Sequence, residues 1–198
     1  MNEFIWIIIA YLLGSIPFSL IIGMIFKKID IRNHGSGNLG GTNAVRVLGA
    51  KYGVPAGLLD ISKALIVVYL ASSGNIDFGY SPIYLGVAAT IGHCYPLFAK
   101  FRGGKAVSTT MGTLLGFSPV IGMVAIVIAI IVILVSKYVS VGSTVLGLSA
   151  LLIMIFNPNY YSSVIACSIL FVFIIYRHIP NYKRLANGTE NKLSFGKN

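Results

Sequence analysis

FIWIIIAYLLGSIPFSLIIGMIF, residues 4–26, runs for 23 residues without a charged side chain. A helix that crosses a bilayer needs about 20 such residues, so this run sets the fold class: an all-α membrane protein. Its N-terminal flank, Met1-Asn2-Glu3, has no basic residue, and Lys27 and Lys28 follow the run. That order is the reverse of a cleaved secretory signal, and the run reads as a retained span. The remaining sequence agrees. Of 198 residues, 56% are hydrophobic and 10% charged, with mean hydropathy +0.85, where a soluble domain carries about 25% charged residues. Six more apolar runs follow at 54–72, 82–97, 105–118, 119–136, 141–156 and 159–176. The run at 105–118 reaches only about 21 Å as a helix. It is expected to cross as a short helix or to sit as a half-helix among its neighbours. No soluble domain is left over, so residues 1–198 read as one compact bundle of about seven transmembrane helices.

Charge orients the bundle. The segment 27–51 carries Lys27, Lys28, Arg32, Arg46 and Lys51, whereas 73–81 carries only Asp77. Lys100, Arg102 and Lys105 fill the next connection, the turn at Pro119 has no basic residue, Lys137 sits alone, and Asn157-Pro158-Asn159 is again uncharged. The tail holds Arg177, Lys183, Arg184, Lys192 and Lys197. This alternation puts the N-terminus outside and the C-terminus in the cytoplasm by the positive-inside rule. Seven crossings satisfy it, and so do five crossings with a re-entrant pair. The net charge of +10 lies in short patches beside apolar runs. It points to anionic lipid headgroups and anionic substrates rather than nucleic acid. Cys94 and Cys167 both fall in apolar runs and read as packing residues, with no metal-ligand spacing.

Three polar clusters interrupt the apolar pattern, all on the predicted cytoplasmic side. The first is Gly35-Ser36-Gly37-Asn38-Leu39-Gly40-Gly41-Thr42-Asn43, followed by Arg46. Glycines let the backbone approach an anion, Ser36 and Thr42 offer hydroxyls, and Arg46 offers a bidentate fork. The letters match G-x-G-x-x-G, but no strand precedes them, which excludes a dinucleotide fold. They nearly match a Walker A loop, except that Gly41 stands in the lysine position. The second cluster is Gly92-His93-Cys94-Tyr95-Pro96 with Phe101-Arg102-Gly103-Gly104-Lys105. Here Gly103 and Gly104 are expected to expose amides beside a helix N-terminus and the Lys105 ammonium, a combination suited to an oxyanion. His93 reads either as a satisfied packing residue or as a catalyst. The third is Arg177-His178-Ile179-Pro180-Asn181-Tyr182-Lys183-Arg184, with Glu190 beyond it. His178 and Asn181 would share a face if helix resumes there; the bland reading is a basic tail on lipid headgroups.

Smaller features lie within the spans. Asp60 and Lys63, three apart, neutralise each other either as a functional pair or as a structural one. Ser140 and Ser143 open the sixth run, where a hydroxyl can face the same pocket. Gly53-x-x-x-Gly57 and Gly112-x-x-x-Gly116 permit close helix contact. Asn187-Gly188-Thr189 spells a glycosylation sequon on the wrong side of the membrane. A site built from cations and amides, with no nucleophilic triad and no metal cage, suits a reaction whose leaving group is already good.

GSIPF (14–18), HGSGNLGGTNAVRVLG (34–49), GHCYPLFAKFRGGKA (92–106), YVSVGS (138–143) and RHIPNYKRLANGTE (177–190), in order and spacing, resemble the bacterial glycerol-3-phosphate acyltransferases that use acyl phosphate, the PlsY family. The resemblance covers essentially the whole chain. It implies a seven-helix enzyme of the bacterial cell membrane, with its site facing the cytoplasm. The implied reaction moves a fatty acyl group from acyl phosphate to the sn-1 hydroxyl of sn-glycerol 3-phosphate, yielding lysophosphatidic acid and phosphate. This is the first acylation of phospholipid synthesis, and it is independent of acyl-CoA and acyl carrier protein as direct donors. No cofactor and no metal are expected. Membrane lipids and, transiently, the soluble enzyme that makes acyl phosphate are the further partners implied. Carried over residue by residue, the resemblance gives Ser36, Arg46, Lys105, His178 and Asn181 catalytic parts. It gives Gly37, Asn38, Thr42, Asn43, Gly103, Gly104 and Ser143 parts in substrate binding, and Glu190 a structural one. The family usually has Ala at Gly41, and Gly at Ala64 and Ala106; a positive φ at 106 would make Ala costly there.

The attacking hydroxyl's proton goes either to His178 or to the departing phosphate, and the residues leave both open. The acyl tail is expected to lie between helices, open to lipid. The rival from another class is a small anion or phosphate transporter, in which broken helices aim their N-termini at an anion. Against it, the sequence shows no inverted repeat and the polar clusters share one side.

Overall fold

The structure, a computed structural model, describes residues 2–193, which form nine α-helices and no strand. Lys197, one of the tail's basic residues, lies outside the described residues. Five segments reach membrane-spanning length: Glu3–Lys27, Ala50–Ser72, Pro119–Ser136, Val139–Phe156 and Pro158–Ala186. Their outward faces are apolar and bare, with Val120 73%, Val135 80% and Phe156 80% exposed. In water such a surface would aggregate; in a bilayer it meets hydrocarbon.

The opening run is not one helix. Asn2 caps α1 (Glu3–Gly14) by accepting from the Phe4 amide at 3.1 Å. The chain then breaks at Ser15-Ile16-Pro17, where proline has no N–H to give. It resumes as α2 (Phe18–Ile22) and one π-turn, Gly23–Lys27. A break inside a span leaves carbonyls that lipid cannot satisfy, and the ammonium of Lys63 donates to the Ile16 carbonyl at 3.0 Å.

The glycine cluster, a loop by its letters, ends in an eight-residue helix, α3 (Gly41–Leu48). Gly49, at φ 80°, turns the chain straight into α4 (Ala50–Ser72). Gly53 of α4 packs on the Ala44–Val45 backbone of α3. Two short helices follow, α5 (Ile83–Cys94) and α6 (Val107–Phe117). They account for the 82–97 and 105–118 runs. Ser118 caps α7 (Pro119–Ser136), and Lys137 at φ 65° leads through Tyr138 into α8 (Val139–Phe156). A 3-10 segment, Pro158–Ser163, precedes α9 (Val164–Ala186). The last apolar run stops at 176, but α9 continues past it and through Pro180. The apolar letters end there because this last part of the helix faces a polar cavity rather than lipid.

α6 is held deep in the bundle by α4. A Cβ on Gly112 would run into the Ile61 carbonyl, and one on Gly116 into the Leu65 carbonyl, as the small-residue spacing requires. Around this contact Ile83, Leu114, Ile121, Leu146, Met154 and Leu170 form the main buried core with α7, α8 and α9. Gly112→Val therefore forces α6 off α4 and costs about 1–3 kcal/mol or more. Thermal unfolding in detergent should show a clear drop in Tm, whereas Gly49→Ala, with nothing within 4 Å of the added carbon, should feel only its backbone strain.

Candidate active site

One cavity of about 650 Å³ gathers the three polar clusters and Ser140–Ser143. Ser36, Thr42, Arg46, Lys105, Ser143, His178 and Asn181 all line it. The stretches are far apart in sequence, so the convergence is made by the fold.

The first cluster is organised from within. Gly35 and Gly37 sit at φ 60° and 68°, conformations that favour glycine. Asn43, 2% exposed, accepts from the Ser36 amide at 2.9 Å and donates to the carbonyls of Asn38 (2.9 Å), His34 (3.2 Å) and Ile31 (3.4 Å). Its polar atoms are committed to shaping the loop. Asn38 accepts from the Gly40 amide at 2.7 Å and donates to the Gly103 carbonyl at 3.1 Å, tying the first cluster to the second. Ser36, Thr42 and Arg46 remain exposed toward the cavity. Gly41 meets only the Gly57 Cα, at 3.5 Å from an added Cβ, so alanine would also fit there.

Two clusters differ from expectation. Gly37 of the first and Gly103 and Gly104 of the second are not among the cavity's lining residues. The Gly104 amide donates to the His93 carbonyl at 2.9 Å, so it is spent inside the protein rather than shown to an anion. These two residues are glycine because an added Cβ would strike the His93 carbonyl at 103 and the His93 ring at 104. Their carbonyls are bound by Arg177, which donates to Gly104 O at 3.0 Å and Gly103 O at 3.4 Å. The basic letters of the third cluster gave no sign that Arg177 in particular would serve the loop. What faces the cavity is His93, Lys105 and the start of α6, with Val107 and Ser108. Ala106, between them, sits at φ 70°, where a left-handed L-residue costs about 1–2 kcal/mol.

α9 supplies the third wall. His178 and Asn181 share its buried face. The His178 Nδ1–H donates to the Ile174 carbonyl at 2.8 Å, which leaves Nε2 with a lone pair. Asn181 accepts from the Lys105 ammonium at 2.6 Å and donates to Glu190 at 2.6 Å. Glu190 also accepts from Arg184 at 2.7 Å and Ser140 at 3.1 Å. Burial pushes the Glu190 carboxyl up, but the bonds from Asn181, Arg184 and Ser140 outweigh it and the net shift is downward. The segment after α9, through Asn191, Lys192 and Leu193, lines the cavity and is pinned by the Leu193 amide on the Lys137 carbonyl at 2.7 Å. Glu190 carries the structural part the resemblance implies, whereas the strap Asn191–Leu193 beyond it has no periodic signal in the sequence.

The other half of the cavity is hydrocarbon. Val107 and Met111 of α6, Ile126, Ala129, Ile130 and Ile133 of α7 and Leu146 of α8 line it. Ile130 is also 48% exposed, so this wall is not sealed.

The family profile for "Glycerol-3-phosphate acyltransferase" matches residues 4–188. A glycerol-3-phosphate acyltransferase of Bacillus cereus is 43% identical over 196 residues, covering 99% of this chain and 98% of that one. One of Geobacillus kaustophilus is 43% identical over 189 residues, covering 96% and 95%. The crystal structure of PlsY (YgiH), an integral membrane glycerol 3-phosphate acyltransferase in its glycerol 3-phosphate form, superposes with TM-score 0.91 at 35% identity, covering 97% of this chain and 96% of that one. Its lysophosphatidic acid form gives TM-score 0.88 at 34% identity, covering 96% and 94%.

Burial holds the Lys105 amine down to about 8, with Arg184, Arg177 and Arg46 adding to the effect and Glu190 opposing it. The ammonium is thus present below about pH 8 and lost above it. Calorimetric titration with sulfate, a dianion throughout this range, at fixed ionic strength should show steady affinity up to about pH 8. Above that, affinity should fall by ten- to a hundredfold, the worth of one hydrogen bond to a charged group. Lys105→Arg should remove the decline, since guanidinium stays charged. The folded state binds fewer protons here than the unfolded chain, so stability should rise across the window between about 8 and 10.5.

Proposed function

Since the chain belongs to the glycerol-3-phosphate acyltransferase family, we propose that its acyl donor is acyl phosphate and its acceptor the sn-1 hydroxyl of sn-glycerol 3-phosphate. The observation that carries this reading is the single cavity with a cationic, hydroxyl-lined end continuous with an apolar wall. The phosphates of both substrates belong at Ser36, Thr42, Arg46, Lys105 and Ser143, and the acyl chain belongs along α6, α7 and α8. Asn181, held by Glu190, aims Lys105, and Asn38 and Asn43 shape the loop behind Ser36. The polar end faces the cytoplasm, with the N-terminus outside and seven crossings. The alternating basic connections support that orientation.

The glycerol phosphate hydroxyl attacks the acyl carbonyl carbon. A carbon–oxygen ester bond forms, the anhydride carbon–oxygen bond breaks, and phosphate leaves with its electron pair, giving lysophosphatidic acid. Phosphate is a good leaving group, so the protein's task is to bring two anions together. Like unit charges about 4 Å apart repel by about 4 kcal/mol at an effective dielectric near 20. Arg46, Lys105, Arg177 and Arg184 around one carboxylate, Glu190, supply the offset. The hydroxyl proton has two acceptors in this geometry: the Nε2 lone pair of His178 and the departing phosphate.

Purified protein in detergent should release phosphate from acyl phosphate only when glycerol 3-phosphate is present, with lysophosphatidic acid formed in step. Release without the acceptor, or phosphate flux into vesicles with no acyl product, overturns the reading. In single-turnover measurements, a loss of about 10²–10⁴ on His178→Ala assigns the proton to His178. A loss below tenfold assigns it to the phosphate.

A further inference from the structure

Behind the Gly103–Lys105 loop lies a cluster that the reaction as described leaves unused: Asp60 and Lys63 of α4 and His93 of α5, with relative exposures of 1%, 5% and 4%. The Lys63 ammonium has three N–H donors, and three acceptors surround it. They are Asp60 Oδ1 at 2.8 Å, the Ile16 carbonyl at 3.0 Å and His93 Nδ1 at 3.2 Å. An ammonium accepts nothing, so Nδ1 must present its lone pair, and the imidazole proton must sit on Nε2. That Nε2 points away from Lys63. It is the His93 atom nearest to where a Gly104 Cβ would stand, it has no protein hydrogen-bond partner among the described residues, and His93 lines the cavity. The ring is thus a donor, packed against Gly104, which precedes Lys105, and lacking an acceptor. His178 is the mirror case, with its proton on Nδ1 and its lone pair toward the cavity.

We propose that His93 is a further substrate-binding residue, its Nε2–H donating to an oxygen of the anion held beside Lys105, and that Lys63 is the positioning residue that fixes this tautomer. The inference rests on the reaction proposed above for the identity of the anion, a phosphate monoester. It also explains why positions 103 and 104 carry no Cβ: the loop must lie flat on the ring that shares its ligand.

The test uses the full chain in detergent with its histidines labelled in nitrogen-15. Two-bond couplings should show His93 protonated at Nε2 and His178 at Nδ1, with His34 assigned by difference. Addition of inorganic phosphate should shift the His93 Nε2–H signal, and glycerol 3-phosphate should shift it too. His93→Phe should raise KM for glycerol 3-phosphate by ten- to a hundredfold, more than it lowers kcat. Asp60→Asn with Lys63→Met should convert the His93 signal to a tautomer mixture. A wild-type ring protonated at Nδ1, resonances unmoved by phosphate, or a KM within twofold in His93→Phe overturns the proposal. The wild-type spectra decide it even if a variant does not fold. Absence of glycerol phosphate-dependent turnover would sink the proposed reaction instead, while the phosphate titration still judges His93.

Discussion

The carbonyl of Gly103 is the point at which this molecule is joined. Asn38 reaches it from the first polar cluster and Arg177 from the last helix, while the neighbouring Gly104 amide closes onto His93. A non-helical stretch packed into a membrane bundle cannot leave its backbone groups to lipid, where each orphan costs several kcal/mol. Side chains must serve it, and the ones that do come from three regions separated in sequence. Satisfying one short loop therefore assembles the cavity. Arg46, Lys105 and His178 are brought to one place as a consequence of hydrogen-bond accounting, without an attraction between them.

A second constraint works beneath the first. Asp60 and Lys63 are charges buried within the span, and removing one partner of such a pair costs about 3–5 kcal/mol. The second oxygen of Asp60 has no hydrogen-bond partner, so the pair is not an optimum of stability. Its placement makes sense through what Lys63 touches. One donor closes the break at Ile16 and another sets the His93 ring. The first span can be broken near Pro17 because α4 carries the cation that answers the break.

Much of this was legible in the letters. The seven apolar runs each fell on a helical segment and, at 105–118, gave the shortness of α6, because hydrophobicity per residue is a local property. They did not give the break in the first run or the separate α3, so the described residues hold nine α-helices, with five segments of spanning length. The glycine pair at 112 and 116 signalled a close helix contact, and the structure shows that α4 is the partner. The polar clusters, and the resemblance they carry to a known family, named most of the polar residues that line the cavity, with Gly37, Gly103 and Gly104 lying outside its lining. The doubt over Ala106 was well placed, since its φ is 70°. What the letters hid was the partner of each group. Gly103 and Gly104 look like a bare anion cradle, and only coordinates show that His93 forbids a Cβ and that one amide is already spent. Asn43 looks like a ligand and is a brace. The end of the last apolar run at 176 marks a change of surroundings, from lipid to cavity, and the helix itself runs on to Ala186. Hydrogen bonds between distant residues leave no period in a sequence, which is why the tie from Arg177 to the Gly103–Gly104 carbonyls and the strap at Asn191–Leu193 have no signature in the letters.

Ile130 lines the cavity and is also 48% exposed, so on the proposed reaction the apolar end would take its chain from the bilayer while the charged end takes its substrate from water. On the proposed reaction, the two reactants arrive from different phases. One is counted in molecules per volume and the other in molecules per area of leaflet. Inert phospholipid added at constant total donor would then slow turnover by thinning the donor in two dimensions, and the acylated product would be left in the leaflet without entering water.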